Sequence, residues 1–391
     1  MNYIGSKFSL LSEIGAMVEK YAASSEDFCD LFSGTTVVGQ MAKQRGYSVI
    51  SNDIQQYSLV FQKALIETNK YPDFKLLRRE IKEIDRQEVR TNRPKFGMGD
   101  EPDLSAKYLN KVLTFLEGMH PKKGRFYEEY CEDGEAGRNY FTAHNGMVCQ
   151  AIRDTISEWH TAKLINNTET YLLLASLIET MDSLANTASV YGAYLKHIKK
   201  SATQPLVLRL PKIISSNTPS SAYCLDANDL IKSLSTTGRR GILYIDPPYN
   251  RRQYHSNYHI LETIARWDLD QFSPIGKTGL READTQRSKY CLRTEVYETF
   301  SDLIKHANFE HIIVSYSNEG LLREDELKEI LLSRCSSGDF EFKKIQYKRF
   351  KADIDENRSY SANYVEEFLF YIRTDSHINV ALNSSESAIA I

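Results

Sequence analysis

An aspartate followed by two prolines and a tyrosine is the feature of the sequence with the clearest chemistry. Asp246, Pro247, Pro248 and Tyr249 come directly after the apolar run Ile242–Ile245. This pattern predicts a buried strand that carries a carboxylate to its end, where open α/β sheets bind ligands. The prolines hold the backbone in an extended turn, so Asp246 and the Pro247 carbonyl can accept both hydrogens of one amino group while Tyr249 stacks on a flat ring.

Methylation of an aromatic amine needs such an arrangement, because the lone pair of that nitrogen is delocalised into the ring. Two acceptors on the N–H groups favour a pyramidal nitrogen. A nearby carboxylate also stabilises the positive charge that develops as the methyl group arrives. The alternative interpretation is an ordinary turn after a strand, with Asp246 as a cap.

A turn containing glycine follows a second predicted strand, Asp27–Phe32. Its residues 33–35, Ser-Gly-Thr, permit a tight turn and close approach of the backbone to a ligand. Asp53 follows the next predicted strand, Tyr47–Ser51, at a position where an acidic residue suits a ribose diol. Because the turn lacks a P-loop lysine, a nucleotide triphosphate is not favoured. An ordinary strand–helix loop and a helix N-cap are the alternatives.

The amino-terminal segment carries a third pattern. Gly5 and Ser6 predict a tight turn that presents Lys7 to a carboxylate, with Tyr3 lying over a flat or cationic group. Taken alone, the segment is more typical of a flexible start to a chain.

The elements that must position these residues alternate between strand and helix. This order predicts an α/β fold with a mostly parallel sheet. The helical patterns Gly146–Trp159 and Glu169–Leu184 lie in a charged stretch with few strand patterns, which predicts a mainly helical insertion. Strand patterns return at Leu206–Leu210, Ile242–Ile245, His311–Tyr316, Phe340–Tyr347 and Tyr364–Ile372. The expected division is a first catalytic part over 1–70, the insertion over 71–203, a second catalytic part over 204–374 and a frayed tail over 375–391.

Composition narrows the class of protein. With 41% hydrophobic and 26% charged residues among 391, the chain is typical of a globular protein without a membrane span. Six scattered cysteines without a C-x-x-C pair argue against a disulfide framework and a metal site, and favour the cytoplasm. The net charge of -3 requires any contact with nucleic acid to come from local basic clusters.

In their order along the chain, these motifs resemble the α-group, or D12 class, of N6-adenine DNA methyltransferases found in type II and IIS restriction–modification systems. The resemblance continues in residues 140–142, 190–196 and 257–263. It implies a Rossmann-like sheet that uses S-adenosyl-L-methionine. It also implies methylation of an adenine flipped out of duplex DNA at a specific site, which protects host DNA.

The resemblance also assigns roles to residues. Those matching the catalytic motif are Asp246, Pro247 and Tyr249. Those matching cofactor positions are Tyr3, Lys7, Asp30, Ser33, Gly34, Thr35, Asp53, Asp226 and Asp246. Asp226 is otherwise a turn residue before a helix at Ala227–Leu234, and Thr35-Thr36 replaces a turn that is richer in glycine in many relatives. The insertion would recognise the target sequence.

Basic residues near the motif are expected to offset repulsion from DNA phosphates. Those predicted to contact DNA are Arg251, Arg252, Tyr254 and Lys196, the last at the end of a helix. Further candidates for phosphate contacts are Lys122, Lys123, Arg125, His197, Lys199, Lys200, Arg239 and Arg240. Asn139, Asn145 and Arg153 are chemically suited to contact base edges. Tyr258 and His259 are candidates for the wall of a pocket around the flipped base. A solvated face or packing beneath a helix is the alternative for each.

Two other functions remain open at this point. An RNA methyltransferase acting on a guanine exocyclic amine can use a similar motif, and a non-catalytic DNA-binding regulator can share the scaffold. A cytosine-N4 enzyme would more usually carry serine at Asp246. The expected partner is double-stranded DNA, with a cognate restriction endonuclease and an independent companion methyltransferase left open, and with no membrane.

Overall fold

A sheet of seven strands runs through the centre of the molecule. The computed structural model describes residues 3–236, 240–282, 286–348 and 364–375. Its strands are β1 Asp27–Asp30, β2 Ser48–Asn52, β3 Lys95–Phe96, β4 Leu210–Pro211, β5 Ser221–Tyr223, β6 Arg240–Ile245, β7 Phe309–Ser317, β8 Cys335–Lys348 and β9 Tyr364–Thr374. The predicted tail and Arg239 lie outside the described residues, except for Asp375.

The order of strands in this sheet is β5-β2-β1-β6-β7-β9-β8. The first five are parallel to their neighbours, whereas β9 runs antiparallel between β7 and β8. The predictions of an α/β class, a mostly parallel sheet and a closing pair of long strands are therefore confirmed. After β1 the chain moves outward to β2 and β5 and then returns to β6 beside β1, which makes the gap between β1 and β6 a topological switch point.

Helices cover both faces of the sheet and fill the region between β2 and β5. They are α1 Leu11–Ala22, α2 Val37–Gln44, α3 Gln56–Phe61, α4 Lys75–Glu80, α5 Glu83–Arg86, α6 Lys107–Glu117, α7 Arg125–Tyr130, α8 Ala143–Thr161, α9 Asn167–Leu184, α10 Ala227–Ser235, α11 Tyr254–Asn257, α12 His259–Arg266, α13 Val296–His306 and α14 Glu324–Leu332, with a π-helical turn at Gln62–Glu67 after α3. Within the described ranges, none of the helices has the length and apolar character needed to cross a membrane.

The region predicted as a helical insertion contains α4 to α9 and only one short strand, β3. Its apolar core is not confined to 71–203, because Phe61 and Leu65 on one side and Ile260 and Leu261 of α12 on the other belong to the same buried cluster. The helices are therefore anchored to segments that flank the cofactor and catalytic motifs, so a shared core joins the two regions.

The strand prediction at Leu206–Leu210 is wrong except for Leu210, which pairs with β3 in a separate two-stranded sheet. Side chains take the hydrogen bonds that a neighbouring strand would have made. Arg93 Nη1 donates to Leu208 O at 2.7 Å, and Leu208 N donates to Glu117 Oε1 at 2.7 Å. The outermost parallel strand is instead β5, whose three residues are too few and too polar to give a strand pattern.

Candidate active site

The carboxyl ends of β1, β2 and β6 meet at the switch point and open into a cleft. Asp30 pairs with Ser51 of β2 on one side and with Tyr244 of β6 on the other, which brings the three following loops together. The predicted residues that line the cleft are Tyr3, Gly34, Asp53, Asp226, Asp246, Pro247, Tyr249 and Tyr254. Most of the sequence-predicted site is thus assembled around one cavity.

The Asp246 carboxylate lies at the inner end of this cleft and is 15% exposed. Its Oδ1 is 3.0 Å from Lys7 Nζ, and the same ammonium lies 2.9 Å from Glu367 Oε1. Burial raises the pKa of Asp246 to about 7, Lys7 acts in the opposite direction, and the charge of Glu367 adds to the increase. Burial therefore makes the Asp246 carboxylate a stronger proton acceptor than a solvent-exposed aspartate.

Lys7 is placed differently from its predicted role as a cofactor contact. The tight turn at Gly5 is present, with φ +80°, and Lys7 does meet carboxylates, but they belong to the protein. Burial disfavours the charged amine, yet Asp246 and Glu367 outweigh it and hold the pKa of Lys7 well above its usual value. Lys7 is a fixed cation behind the Asp246 carboxylate and does not line the cleft.

Tyrosines fasten the amino-terminal segment over the site. Ile4 N donates to Tyr258 Oη at 2.8 Å, and Tyr254 Oη donates to Ile4 O at 3.2 Å. The Tyr3 ring stacks on Tyr258 with centroids 4.7 Å apart. Tyr3 and Tyr254 line the cleft, whereas Tyr258 and His259 are completely buried beneath it, so these two pack under the site and do not form its wall.

Asp53 joins the two loops that follow β1 and β2. Its Oδ2 accepts from Gly34 N at 2.9 Å and its Oδ1 from Gln55 N at 3.0 Å. Burial raises the pKa of Asp53 to about 6, while these backbone donors act in the opposite direction. Gly34 has φ +49°, and a Cβ there would lie 2.9 Å from Tyr3 Cε1, so this turn requires glycine.

Three residues predicted to cradle the cofactor lie behind the cleft wall instead. Asp30 is 1% exposed, and its Oδ2 accepts from Gly39 N in the first turn of α2 at 2.9 Å. Ser33 Oγ bonds Asp30 O at 2.8 Å and Ser51 Oγ at 2.7 Å. Thr35 faces a separate groove. Asp30 and Ser33 shape the turn that Gly34 presents, so they support the cleft from outside.

Asp226 combines the two interpretations of its sequence position. Its Oδ1 accepts from Asn228 N at 2.9 Å as the N-cap of α10, and its side chain also borders the cleft. The Asn52 amide fixes the neighbouring loop, because its Nδ2 donates to Leu31 O and Leu225 O and its Oδ1 accepts from Leu225 N. Asp226 is thereby set at a defined place at the cleft mouth.

The basic residues have different environments. Arg251 and Arg252 are exposed in the loop after the catalytic turn. Lys196 is exposed too, but the prediction that it ends a helix is wrong. α9 stops at Leu184, and the buried Asn186 then organises the following loop, with Asn186 Nδ2 donating to Leu195 O.

Two residues suggested for base edges are occupied inside the protein. The buried Asn145 donates to Ala202 O and Gln204 O. The guanidinium of Arg153, also buried, donates to Ile264 O and Ala265 O at the end of α12. Both are structural links, and neither is available to DNA.

Sequence reasoning missed two parts of the site. One is Glu367, a completely buried carboxylate of β9 that bonds Lys7 and accepts from Ser315 Oγ at 2.9 Å. The other is the apolar wall formed by Phe32, Ile54 and Tyr290. The pair Glu366-Glu367 at the start of an otherwise apolar strand was the available sign for the first, although it did not show which of the two is buried. Two residues of the apolar wall could have been found, because Phe32 adjoins the predicted turn and Ile54 adjoins Asp53 in the sequence. No sequence pattern indicated Tyr290.

The described residues that line the cleft include three carboxylates, those of Asp53, Asp226 and Asp246, and no lysine or arginine. Such a lining disfavours phosphates and suits a cationic ligand with a hydroxylated sugar, and the apolar wall suits a flat ring. S-adenosyl-L-methionine has a positive sulfur, a ribose and an adenine, so the residues present fit it. A switch-point cleft of this chemistry on this sheet defines the class of α/β methyltransferases.

Comparisons with known proteins narrow this class to one family. Residues 3–330 match the family model of D12 class N6 adenine-specific DNA methyltransferases. The chain is 38% identical to the type II methyltransferase M.NlaIII of Neisseria lactamica, over 94% of this chain and 98% of that protein. It is 38% identical to the type II methyltransferase M.FokI of Planomicrobium okeanokoites and 35% identical to the modification methylase StsI of Streptococcus sanguinis, of which it spans 54% and 52%.

The chain therefore belongs to the D12 class of N6 adenine-specific DNA methyltransferases. The resemblance drawn from the motifs is confirmed, as is the prediction of site-specific adenine methylation in DNA. The RNA guanine methyltransferase and the non-catalytic regulator are the less favoured alternatives.

Proposed function

We propose that the cleft between β1 and β6 holds S-adenosyl-L-methionine beside Asp246, and that the enzyme methylates N6 of an adenine flipped out of duplex DNA. The observation that carries the proposal is the placement of Asp246, which faces a cleft lined by carboxylates and is fixed from behind by Lys7 at 3.0 Å.

Each part of the cofactor has a matching group in the cleft. Asp53 can accept from the ribose hydroxyls, because each of its oxygens has a second lone pair beyond the bond to a backbone amide. Phe32 and Ile54 offer apolar surface to the adenine, with Asp226 at its edge. The close approach of the backbone at Gly34 suits the methionine part, and Tyr3 closes the cleft over it. When bound, the cofactor supplies a methyl group activated by its positive sulfur.

Asp246 and Pro247 would act on the target amine. The Asp246 carboxylate and the Pro247 carbonyl accept its two hydrogens, and Tyr249 stacks on the base. The methylated nitrogen carries one proton too many, and Asp246 can take it because its pKa of about 7 makes the carboxylate a usable base at neutral pH. Lys7 keeps the carboxylate oriented toward the cleft while this occurs.

The DNA would approach across the exposed loop that follows the catalytic turn. Arg251 and Arg252 are placed to meet phosphates beside the flipped nucleotide, with Lys196 as a further contact. Tyr254 would form part of the wall around the base, since it borders the cleft next to Tyr249. The helices over 71–203 would read the target sequence.

The biological setting follows from the relatives. A restriction–modification role in the cytoplasm would place this enzyme beside a cognate endonuclease that cuts the same unmethylated site, and a companion methyltransferase could act independently on the other strand. The methyl group on N6 then protects host DNA from that endonuclease.

The test is methyl transfer from labelled S-adenosyl-L-methionine to duplex DNA and, separately, to ribosomal RNA. We expect label in the duplex only, recovered as N6-methyladenine, and sequencing of modified bases should place it at one short sequence. Label recovered on guanine in RNA would favour the alternative enzyme, and no transfer to either substrate would contradict the proposal.

A further inference from the structure

A short hairpin after the catalytic motif is held to the protein in an unusual way. Residues Ile275 and Leu280 pair with each other, at 2.7 Å for Ile275 N to Leu280 O and 2.9 Å for the reverse bond. The four residues between them form the tip, in which Lys277 is exposed and Gly276 has φ +67°. This hairpin, residues 275–280, lies outside the predicted insertion.

Buried side chains bind consecutive carbonyl groups of this tip. Arg138, which is 9% exposed, donates to Gly276 O at 3.1 Å and to Lys277 O at 3.3 Å. Tyr140 Oη and His259 Nε2, both from completely buried residues, lie 3.1 and 2.9 Å from Thr278 O, and the buried Tyr130 donates to Gly279 O at 3.0 Å. Four carbonyl oxygens in a row therefore point into the protein.

Peptide geometry fixes where the amide hydrogens then point. In a planar trans peptide the N–H is directed opposite to the preceding carbonyl, so the amides of Lys277 and Thr278 face outward. Successive outward N–H groups in a turn form a concave site for an anion, and the Lys277 ammonium adds a full positive charge beside them. The buried donors pre-organise this tip, so little conformational entropy remains to be lost on binding.

The hairpin adjoins the other exposed cations near the site. Asn139, next to Arg138 in the chain, donates through Nδ2 to Lys196 O at 3.4 Å. Tyr140 Oη also contacts Tyr191 O, and Tyr191 N donates to Asn257 O at 2.9 Å, shortly after the loop that holds Arg251. Hydrogen bonds thus link the segment that holds the tip to the Lys196 loop and to the end of α11, and Lys277, Lys196 and Arg251 are each exposed.

We infer that the hairpin 275–280 binds a backbone phosphate of duplex DNA through the Lys277 ammonium and the outward amides of its tip. The inference rests on the proposed function, because it requires a duplex at the cleft. It adds a rigid contact on a hairpin that packs against Arg138 and Tyr140 of the helical region, and this contact would hold the duplex while one nucleotide is extruded.

The first experiment compares Lys277→Gln with Lys305→Gln. Lys305 is an exposed lysine of α13, just before the amino end of β7 and hence at the sheet edge opposite the cleft. The measurement is the affinity for a duplex as a function of salt. We expect Lys277→Gln to reduce the slope of log K against log[salt] by about 0.9. Lys305→Gln should leave this slope and single-turnover methylation at saturating DNA unchanged. Equal slopes for both variants would overturn the inference.

The second experiment needs no variant. Acetylation of surface lysines by acetic anhydride, with mass spectrometry, compares the holoenzyme with and without saturating duplex. Protection of Lys277 and not of Lys305 supports the inference, and acetylation of Lys277 at the same rate with and without duplex refutes it. If the wild-type protein binds and methylates duplex DNA while Lys277 stays unprotected, only the hairpin contact fails. If it neither binds nor methylates a duplex, the proposed function fails.

Discussion

Two aspartates at the same sheet edge have different roles. Asp30 ends β1 and Asp246 follows β6, and burial raises the pKa of each to about 7. Asp30 is level with Tyr244 in the sheet, so Asp246 projects two residues further toward the edge. Asp30 consequently lies under the first turn of α2 and accepts from Gly39, whereas Asp246 reaches the cleft and is held by Lys7. A displacement of two residues along neighbouring strands separates a carboxyl group buried under α2 from one that faces the cleft.

The largest expected effect is a loss of methyl transfer that follows substitution of Asp246 but not of Asp30. Asp246→Asn keeps the shape but removes the charge that stabilises the methylated amine, so we expect single-turnover methyl transfer to fall by about 10²-fold or more. Asp30→Asn should stay within a few-fold of the wild type, because its amide oxygen can still accept from Gly39. The measurement is the rate at saturating cofactor and DNA, and equal losses in both variants would contradict the distinction.

Glu367, the second carboxylate that contacts Lys7, allows a test of how its charge affects the pKa of Asp246. The charged or titratable groups around this carboxyl are Lys7, Glu367, Asp30, Tyr244 and Tyr254. Because the Glu367 charge raises the pKa of Asp246, Glu367→Gln should move the acidic limb of the pH–rate profile to lower pH, by about one unit. Ser315→Ala removes a hydrogen bond from the same glutamate without changing charge and should leave the limb in place. A limb that moves in neither variant, or equally in both, would count against this role.

The buried Asp30 should instead affect how the free energy of unfolding depends on pH. Its folded-state pKa of about 7 lies above the usual value of 3.8, so the folded state holds a proton that the unfolded chain has released. The free energy of unfolding should therefore fall as pH rises from about 4 to about 7, by about 1.4 kcal/mol per pH unit for this group. In Asp30→Asn this contribution is absent, so the slope of the unfolding free energy against pH, measured by urea denaturation, should be more positive by that amount. An identical slope would show that Asp30 is not the proton carrier.

The smallest expected effect concerns Arg251, an exposed cation in the loop that follows Asp246. Arg251→Ala should reduce the salt dependence of duplex binding by about 0.9 in log–log slope, as expected for one lost phosphate contact. Its turnover at saturating DNA should stay close to that of the wild type, which distinguishes it from Asp246→Asn. Lys305→Ala serves as the control, and a slope unchanged from that control would remove Arg251 from the interface.

Local patterns predicted β1, β2, β6, β7, β8 and β9 and the turn that carries Asp246, but not β3 or β5. Asp246 and Asp53 could be placed because a strand end and a turn are short-range features. Lys7 and Glu367 could not be paired, because their contact joins opposite ends of the described chain. The inward orientation of Asp30 was equally hidden, since it depends on the register between β1 and β6, and Asn145 and Arg153 resemble surface residues until the helices around them are packed.

The ion pair of Lys7 with Glu367 has a consequence for the order in which the protein becomes active. Lys7 lies far before Glu367 in the chain, so a ribosome delivers Lys7 long before Glu367. Until β9 joins the sheet, Lys7 lacks one of its two counter-charges and the support behind Asp246 is incomplete. A nascent chain can therefore form much of the cleft while it is still attached to the ribosome, but the placement of Lys7 behind Asp246 is complete only when β9 has joined the sheet.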